Sequence, residues 1–252
     1  MKLFSLEGKA AVVTGASRGI GRAIALGLAQ AGADVAVAAR TESDLQTLVE
    51  EIEAHGGNGL AVPTDVLDRG AIENLFDRTL DELGGFDVLV NNAGGTRFIA
   101  PITTLRPEGW DKVIDLNLNA VFHATQLAAR RMVDRGGGSI IQISSVAGVQ
   151  GAEGLSFYSA AKAGVRLMTQ SVARELASSG VRLNSIAPGW IATDLNANMW
   201  SDEGVRKSME DSIPMGRLGN AGEIVGPAIF LASDASSFIT GATLLVDGGQ
   251  LA

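Results

Sequence analysis

The segment Lys9–Gly21 reads KAAVVTGASRGIG and joins an apolar run to a glycine-rich loop. Its first six residues predict a β-strand, and apolar residues at helical spacing begin at Gly19. Gly15, Gly19 and Gly21 allow the backbone to turn sharply and to approach a pyrophosphate, which the free N–H groups of a helix N-terminus bind. A purely steric turn explains such a loop equally well, but its position after the first strand of an alternating chain favours a phosphate site.

Apolar runs alternate with helical segments along the rest of the chain. Strands are predicted at 9–14, 34–39, 60–63, 88–91, 139–143, 181–187 and 242–246, and helices at 19–31, 41–55, 68–83, 107–134, 156–178 and 221–233. Strands that are apolar on both sides and separated by helices imply a parallel sheet covered on both faces. We therefore predict an α/β fold, with one doubly wound Rossmann-type domain over residues 1–252. Ligands then bind at the carboxyl ends of the strands.

Composition excludes several classes of function. The chain has no Cys, which excludes a thiolate nucleophile and a Cys-ligated metal. It has only two His, His55 and His123, which disfavours a multi-histidine metal site. The formal net charge of −8 disfavours nucleic acid and anionic membranes as partners. No apolar run is long enough to span a bilayer, and a cytoplasmic protein is expected. His123 is expected to be a core or interface histidine.

The end of the second predicted strand bears on the choice of dinucleotide. An acidic side chain at this point binds the ribose of NAD, whereas an arginine accommodates the 2′-phosphate of NADP. Here the strand ends at Arg40, and no carboxylate follows until Glu42. Arg18 in the glycine loop can reach the same phosphate, and guanidinium groups pair bidentately with phosphate. We predict NADP(H) in preference to NAD(H); the alternative is that Arg40 is a solvated loop residue.

A tyrosine and a lysine stand four residues apart on the helix predicted at 156–178. Tyr158 is the only tyrosine of the chain, and the spacing places Lys162 on the same helix face. A neighbouring ammonium lowers a phenol's pKa, so that the tyrosine can exchange a proton with a carbonyl or an alcohol. Ser144-Ser145 follows the fifth strand at the same edge of the sheet, and a serine hydroxyl there can hold the substrate oxygen. The alternative is that Tyr158 is a packing residue and Ser145 a helix cap.

These residues and motifs together resemble the classical short-chain dehydrogenases/reductases over essentially the whole chain. The matching motifs are Thr14-Gly15-(x)3-Gly19-x-Gly21, Asp65, Asn91-Asn92-Ala93-Gly94, Asn117, Ser145 with Tyr158-(x)3-Lys162, and Pro188-Gly189 followed by Thr193. The resemblance implies a seven-stranded sheet ordered 3-2-1-4-5-6-7 and a homotetramer. It also implies an enzyme that interconverts a carbonyl compound and an alcohol.

Residue roles follow from the same resemblance. Tyr158 is implied to be the general acid/base, Lys162 to lower its pKa, and Ser145, 13 residues before Tyr158, to orient the substrate. Asn117, within the long helix that starts near Pro107, is implied to bind a water that links Lys162 to solvent. Residues implied to bind the cofactor are Gly15, Ser17, Arg18, Gly19, Ile20, Gly21, Arg40, Asp65, Val66, Asn92, Ala93, Gly94, Tyr158, Lys162, Pro188, Gly189, Ile191 and Thr193.

The substrate is less well defined by the sequence. Segment 190–214 matches the family's substrate lid in position, and Thr96-Arg97-Phe98 with Gln150-Gly151-Ala152-Glu153 should line the same cleft. A 3-oxoacyl thioester is the leading substrate, and a sugar or polyol is the alternative. A remote alternative is that the protein is a non-catalytic dinucleotide sensor. Docking of an acyl carrier protein stays open, because Arg130, Arg131 and Arg135 end one long helix but Ser178-Ser179-Gly180 ends the other.

Overall fold

The computed structural model describes residues 2–194 and 197–252, and its central element is a seven-stranded parallel sheet. The strands, in chain order, are β1 (Ala10–Thr14), β2 (Asp34–Ala39), β3 (Gly59–Pro63), β4 (Val88–Asn91), β5 (Gly138–Ile143), β6 (Val181–Pro188), β7 (Ile191–Ala192), β8 (Gly219–Asn220) and β9 (Thr243–Val246). The main sheet has the order β3-β2-β1-β4-β5-β6-β9, and β7 pairs with β8 in a separate two-stranded sheet. The predicted fold class and strand order are confirmed, with β9 as the seventh strand.

Helices connect these strands and cover both faces of the sheet. They are α1 (Gly19–Gln30), α2 (Glu42–Ala54), α3 (Arg69–Leu83), α4 (Pro107–Ile114), α5 (Ala120–Asp134), α6 (Ser156–Leu176), α7 (Ala197–Trp200), α8 (Glu203–Asp211) and α9 (Val225–Ala232). Local sequence explains several of their starts: Asp68 caps α3 by accepting a hydrogen bond from the Gly70 N–H at 2.8 Å, and Pro107 opens α4. Among the described residues, none of the helices is long and apolar enough to cross a membrane.

The core lies on both sides of the sheet because successive side chains of a strand point to opposite faces. Val13 packs with Ile24 and Leu48 in one apolar cluster, whereas Val12 packs with Phe76 in the other. All of these side chains are fully buried. Each contributes about 1.5–3 kcal/mol through burial, and truncating Phe76 to Ala is expected to cost about 3–5 kcal/mol.

Two predicted helices are interrupted. The segment predicted as one helix from 107 to 134 contains a π-helical turn at Asp115–Asn119 between α4 and α5. The helix predicted at 221–233 begins as a 3₁₀ turn, Ala221–Ile224, whose N-terminus carries a reciprocal capping box between Asn220 and Glu223. Hydrophobic periodicity does not reveal a single extra residue within a helix, so the π turn escaped the prediction.

Segment 190–214, which the resemblance assigns to a substrate lid, contains short regular elements. It includes β7, α7 and α8, and Asp202 caps α8 by accepting a hydrogen bond from the Val205 N–H at 2.9 Å. The side chain of Met199, which we expected to contribute to a lid, lies outside the described part of the chain.

Candidate active site

Thr14, at the end of β1, holds two strand-end loops together. Its hydroxyl donates to the Val90 carbonyl at 3.3 Å and accepts from the N–H groups of Asn92 and Ala93, both at 3.1 Å. The Asn92 amide in turn donates to the carbonyls of Thr14 and Gly15 at 3.0 and 3.1 Å. The loops after β1 and β4 therefore form one rigid wall of a cleft.

Glycine is required where these loops meet. Gly15 has a φ of +65°, and a Cβ at this position would lie 2.8 Å from the Ala93 Cα. A Cβ on Gly21 would overlap the Asn92 side chain. The glycine loop is thus fixed by close backbone packing as well as by any ligand it binds.

The N-terminus of α1 suits an anionic group. No side chain caps it, and its first turn carries no acidic residue, in contrast to α3, which Asp68 caps. Ser17, Gly19 and Ile20 lie at this terminus, where N–H groups and the positive end of the helix dipole favour a phosphate. The residues present therefore fit the pyrophosphate of a dinucleotide.

The two arginines predicted to select NADP lie on adjacent loops. Thr14 pairs with Ala38 in the register of β1 and β2, so Arg18 and Arg40 follow neighbouring strand ends. Both side chains are exposed, and neither has a hydrogen-bond or ion-pair partner among residues 2–194 and 197–252. Two free guanidinium groups at this point fit an additional phosphate.

The loop after β3 lies beside the same cleft. Val66 lines a small pocket together with Thr14, Asn91 and Ala93. Asp65 is exposed, and its carboxylate accepts a hydrogen bond from the Leu67 N–H at 3.1 Å. Asp65 directly precedes Val66, so both residues lie at the carboxyl end of β3, the edge of the sheet at which the resemblance places the cofactor.

Lys162 is buried on α6, with a side chain only 3% exposed. Its ammonium donates to the Ile143 carbonyl at 2.9 Å and lies 5.7 Å from the centre of the Tyr158 ring. The end of β5 therefore positions Lys162 against Tyr158.

The two serines after β5 have different partners. Ser144 is buried, and its hydroxyl donates to the Lys162 carbonyl at 3.2 Å. The hydroxyl of Ser145 accepts from the Ala147 N–H at 3.1 Å, and Ser145 also acts on the Tyr158 hydroxyl, whose pKa it lowers. Ser145, as predicted, is the one that lies beside the tyrosine, whereas Ser144 supports the helix that carries it.

Burial controls both ionisable groups of this cluster. It raises the pKa of Tyr158 from 10.0 to about 12, and the hydrogen bond with Ser145 only partly opposes this rise. It also lowers the pKa of Lys162 from 10.5 to about 8. The sequence predicts that Lys162 lowers the pKa of Tyr158. In this structure desolvation raises that pKa instead, so the phenol is neutral at pH 7.

Asn117 lies on the π turn and is fully buried. Its carbonyl oxygen accepts from the Gly95 N–H at 2.7 Å, and its amide donates to the carbonyls of Gly95 and Val113, both at 3.0 Å. A Cβ on Gly94 would lie 2.8 Å from the Asn117 oxygen and 3.3 Å from the Lys162 nitrogen. These two atoms therefore lie no more than about 6 Å apart, a separation that a single water can bridge.

The loop after β6 forms the opposite side of the cleft. Pro188 ends β6, and the Gly189 N–H donates to the Val246 carbonyl at 3.0 Å. The Thr193 side chain lies 3.6 Å from the position of a Cβ on Gly19, so Thr193 lies across the glycine loop. Ile191 differs from expectation: its side chain is in the core, so only its backbone is available to a cofactor.

The sequence did not predict the contacts of two polar side chains that support the site. Asn91 and Gln142 both donate to the buried hydroxyl of Thr125, at 3.2 and 2.8 Å, which joins β4 and β5 to α5 just beyond the π turn. Their polar character within apolar strands was the available signal. His123 is half-buried and, rather than lying on an apolar face, contacts Arg69 with its ring nitrogen at 3.2 Å.

The arrangement is suited to proton transfer beside a flat cofactor. A neutral phenol lies beside a serine hydroxyl, and a substrate oxygen placed between them would accept a hydrogen bond from both. The buried ammonium of Lys162 lies behind the phenol and stabilises negative charge that develops on it. A nicotinamide ring, when bound, supplies or accepts the hydride.

Comparison with known proteins supports the same class. The family model described as enoyl-(acyl carrier protein) reductase matches residues 15–250. The chain is 44% identical to a 3-oxoacyl-[acyl-carrier-protein] reductase of Synechocystis, over 98% of both chains. It is 43% identical to an L-rhamnose 1-dehydrogenase (NAD(P)(+)) of Sphingomonas, over 99% of this chain and 98% of that one.

A solved structure gives the same result. That of a gluconate 5-dehydrogenase from Burkholderia cenocepacia, in complex with NADP and tartrate, is 36% identical and superposes with a TM-score of 0.94, covering 99% of this chain and 97% of that one. The chain belongs to the classical short-chain dehydrogenase/reductase family. It is an oxidoreductase of that family, which binds a nicotinamide dinucleotide and acts on CH–OH or C=O groups.

Proposed function

We propose that the protein is an NADP(H)-dependent oxidoreductase that interconverts a ketone and a secondary alcohol, with reduction of a 3-oxoacyl thioester or a similar carbonyl compound as its leading reaction. The observation that carries this proposal is that Tyr158 and Ser145 lie together beside the buried ammonium of Lys162, which is 5.7 Å from the centre of the Tyr158 ring. A neutral phenol is the protonation state that reduction requires, because the carbonyl oxygen must receive a proton.

Each residue of the cluster has a distinct role in this proposal. Tyr158 gives its proton to the substrate oxygen, and Ser145 holds that oxygen by a hydrogen bond. Lys162 stabilises the resulting phenolate and holds the nicotinamide ribose. Asn117 holds a water between its own oxygen and Lys162, through which the proton is replaced from solvent.

The preference for NADP(H) rests on Arg18 and Arg40. Both side chains are exposed on loops that follow neighbouring strand ends, and neither has a partner among the described residues. The end of β2 carries no carboxylate that would bind an unphosphorylated ribose or repel a phosphate. The related gluconate dehydrogenase was solved with NADP, whereas the related rhamnose dehydrogenase is named for both cofactors.

A sugar or polyol dehydrogenase is the second candidate. The related rhamnose and gluconate dehydrogenases favour it. One observation on this chain also weakens carrier-protein docking: Arg131 pairs with Asp77 and lies over the ring of Phe76, so it is not free for a partner. A non-catalytic dinucleotide sensor is disfavoured, because a sensor has no need of the Tyr158, Ser145 and Lys162 arrangement.

The wider organisation belongs to the proposal as well. One domain spans residues 1–252, and segment 190–214 covers the substrate. The protein is a cytoplasmic homotetramer, with the helices α5 and α6 as candidate interfaces. Phe122, Val133 and Leu167 are exposed apolar side chains on these helices, which an interface would cover.

A substrate panel tests the proposal. Purified protein is assayed with 3-oxoacyl thioesters, simple ketones, sugars and polyols, each with NADPH or NADP⁺ and with NADH or NAD⁺, by nicotinamide absorbance. We expect turnover with at least one ketone or secondary alcohol, faster with the phosphorylated cofactor. A protein that binds NADPH but turns over no member of the panel would support the sensor instead.

A further inference from the structure

The loop after β4 carries a cation that the reaction described above does not use. Arg97 is exposed, and it has neither a hydrogen-bond nor an ion-pair partner within the described part of the chain. It follows Gly95 by two residues, so their Cα atoms lie within about 7 Å of each other. Gly95 is itself bound to Asn117 by two hydrogen bonds. Arg97 is therefore held close to the catalytic cluster.

The other side of Arg97 is held as well. The Phe98 ring stacks on the Phe157 ring, with 4.7 Å between centroids and 20° between planes. Phe157 is fully buried and directly precedes Tyr158. The chain around Arg97 is thus fixed to Asn117 on one side and to the residue next to the general acid on the other.

Arg97 is the central residue of a tight turn formed by Thr96, Arg97 and Phe98. The Thr96 hydroxyl donates to the Phe98 carbonyl at 3.2 Å and accepts from the Phe98 N–H at 3.4 Å. A side chain at the tip of such a turn loses little freedom to neighbouring contacts, and its guanidinium stays available to a ligand.

A carboxylate lies on a loop that is joined to the loop of Arg97. Ile99, two residues after Arg97, and Val149 are exposed apolar side chains. The Ala100 N–H donates to the Gly154 carbonyl at 2.9 Å, which joins the loop of Arg97 to the loop of Glu153. Glu153 is also exposed, and the two side chains do not form an ion pair among the described residues. Among residues 2–194 and 197–252, neither Arg97 nor Glu153 has an ion-pair partner.

We infer that Arg97 is a specificity-determining residue that binds a carboxylate or another anionic group of the substrate, so that the protein favours oxo and hydroxy acids over their neutral analogues. This inference rests on the proposed oxidoreductase activity, and within it favours free oxo and hydroxy acids over a 3-oxoacyl thioester, which has no free carboxylate. A guanidinium binds a carboxylate through two parallel hydrogen bonds. Glu153 opposes the same anion by repulsion.

Matched probes that differ in charge test this inference. D-gluconate is compared with D-glucitol in the direction of oxidation, and 3-oxobutanoate with its methyl ester in the direction of reduction. Both kcat/KM and, by calorimetry on the NADP⁺-loaded protein, the Kd of gluconate and glucitol are measured. For the wild type we expect a preference for the anion in at least one pair, and this preference should weaken as ionic strength rises.

Three variants separate specificity from structure. Arg97→Gln should weaken use of the preferred anion by about 10- to 100-fold and leave its neutral partner within about twofold. Glu153→Gln should strengthen use of the anion. Arg174→Gln is the charge control, because Arg174 is exposed on α6 twelve residues beyond Lys162, about 18 Å along the helix; it should leave both probes unchanged.

Failure of the inference is distinct from failure of the proposed function. If no pair shows an anion preference in turnover or binding, or if Arg97→Gln weakens charged and neutral probes equally, Arg97 does not determine specificity. Such a result is compatible with turnover of neutral ketones. If gluconate binds in a manner that depends on Arg97 but no substrate changes the nicotinamide absorbance, the inference stands and the oxidoreductase proposal falls.

Discussion

The ammonium nitrogen of Lys162 lies 5.7 Å from the centre of the Tyr158 ring, and no other tyrosine exists in the chain. Both groups are penalised when charged, since burial raises the pKa of the phenol and lowers that of the amine. The fold thus maintains a buried ionisable pair whose charged forms it destabilises. Such groups are common where catalysis rather than stability has determined the residue.

Replacing Lys162 with Met should stabilise the protein at neutral pH. A pKa lowered from 10.5 to about 8 means that folding a protonated Lys162 costs free energy. The cost is fully present below pH 8, shrinks as pH rises, and vanishes above pH 10.5, where the unfolded state is also neutral. We expect Lys162→Met to raise the free energy of unfolding by about 2 kcal/mol at pH 7, less than the shift alone gives because the hydrogen bond to Ile143 is lost.

Urea unfolding of wild type and Lys162→Met at several pH values measures this difference. The gap should close between pH 8 and 10.5. A variant that is less stable at pH 7, with a gap that does not depend on pH, would show that burial of the ammonium is not costly.

The ionisation of Tyr158 can be followed without interference from other tyrosines. Near-ultraviolet absorbance of tyrosinate reports this side chain alone, because the chain has a single tyrosine. With a pKa raised to about 12, less than a tenth of it should be ionised at pH 10, where a free tyrosine is half ionised. Saturating NADP⁺ should increase the ionised fraction, since the cationic ring lowers the pKa. Half ionisation near pH 10 in the cofactor-free protein would contradict the structure.

Removing the Tyr158 hydroxyl should abolish proton transfer selectively. For Tyr158→Phe we expect kcat to fall by about 10²- to 10⁴-fold, whereas the Kd for NADPH, measured by fluorescence, should change by less than about twofold. Loss of the interaction with Ser145 should cost no more than about 1 kcal/mol of stability. A variant that retains activity on a substrate of the wild type would remove Tyr158 from the mechanism.

Arg40 should distinguish the two nicotinamide cofactors. Arg40→Ala removes a charge-assisted contact with a 2′-phosphate, so the Kd for NADPH should rise by about tenfold or more while the Kd for NADH changes little. Arg174→Ala is a matched control on an exposed helix position. Equal weakening of both cofactors by Arg40→Ala would exclude the phosphate contact.

Gly94 should not tolerate a side chain. A Cβ there would lie 2.8 Å from the Asn117 oxygen and 3.3 Å from the Lys162 nitrogen, and it would fill the space available to a bridging water. We expect Gly94→Ala to reduce kcat by at least about tenfold. Gly226→Ala is the control, because Gly226 is exposed on α9 and a Cβ there meets nothing within 4 Å. Comparable activity of the two variants would show that the space at Gly94 is not used.

The sequence predicted the fold well because its signals are strong and repeated. Runs such as Ala10–Thr14 are apolar on both faces, and every strand of the main sheet was predicted from such a run. The pair β7 and β8 was missed since each strand has only two residues. The helices α7 and α8 were missed because their segment is too short and too polar to show a clear period.

The sequence predicted which residues form the candidate site, but not the pKa values of those residues. Spacing alone placed Tyr158, Lys162 and Ser145 together, and the structure brings them together. The pKa of Tyr158 was not predictable in this way, because desolvation depends on the whole environment of the phenol. The core position of the Ile191 side chain was likewise not predictable, since the strand β7 that carries it has only two residues and shows no alternating pattern.

The π turn at Asp115–Asn119 sets the relative rotation of the two helices that it joins. One residue corresponds to about 100° of helical rotation, so the extra residue turns the buried face of α5 away from that of α4 by that angle. Deleting one residue to restore a regular helix would move Asn117 out of contact with Gly95 and also rotate Ala124 and Leu127 out of the core. The length of this segment is therefore constrained more tightly than its composition, and insertions or deletions there should be far less tolerated than substitutions.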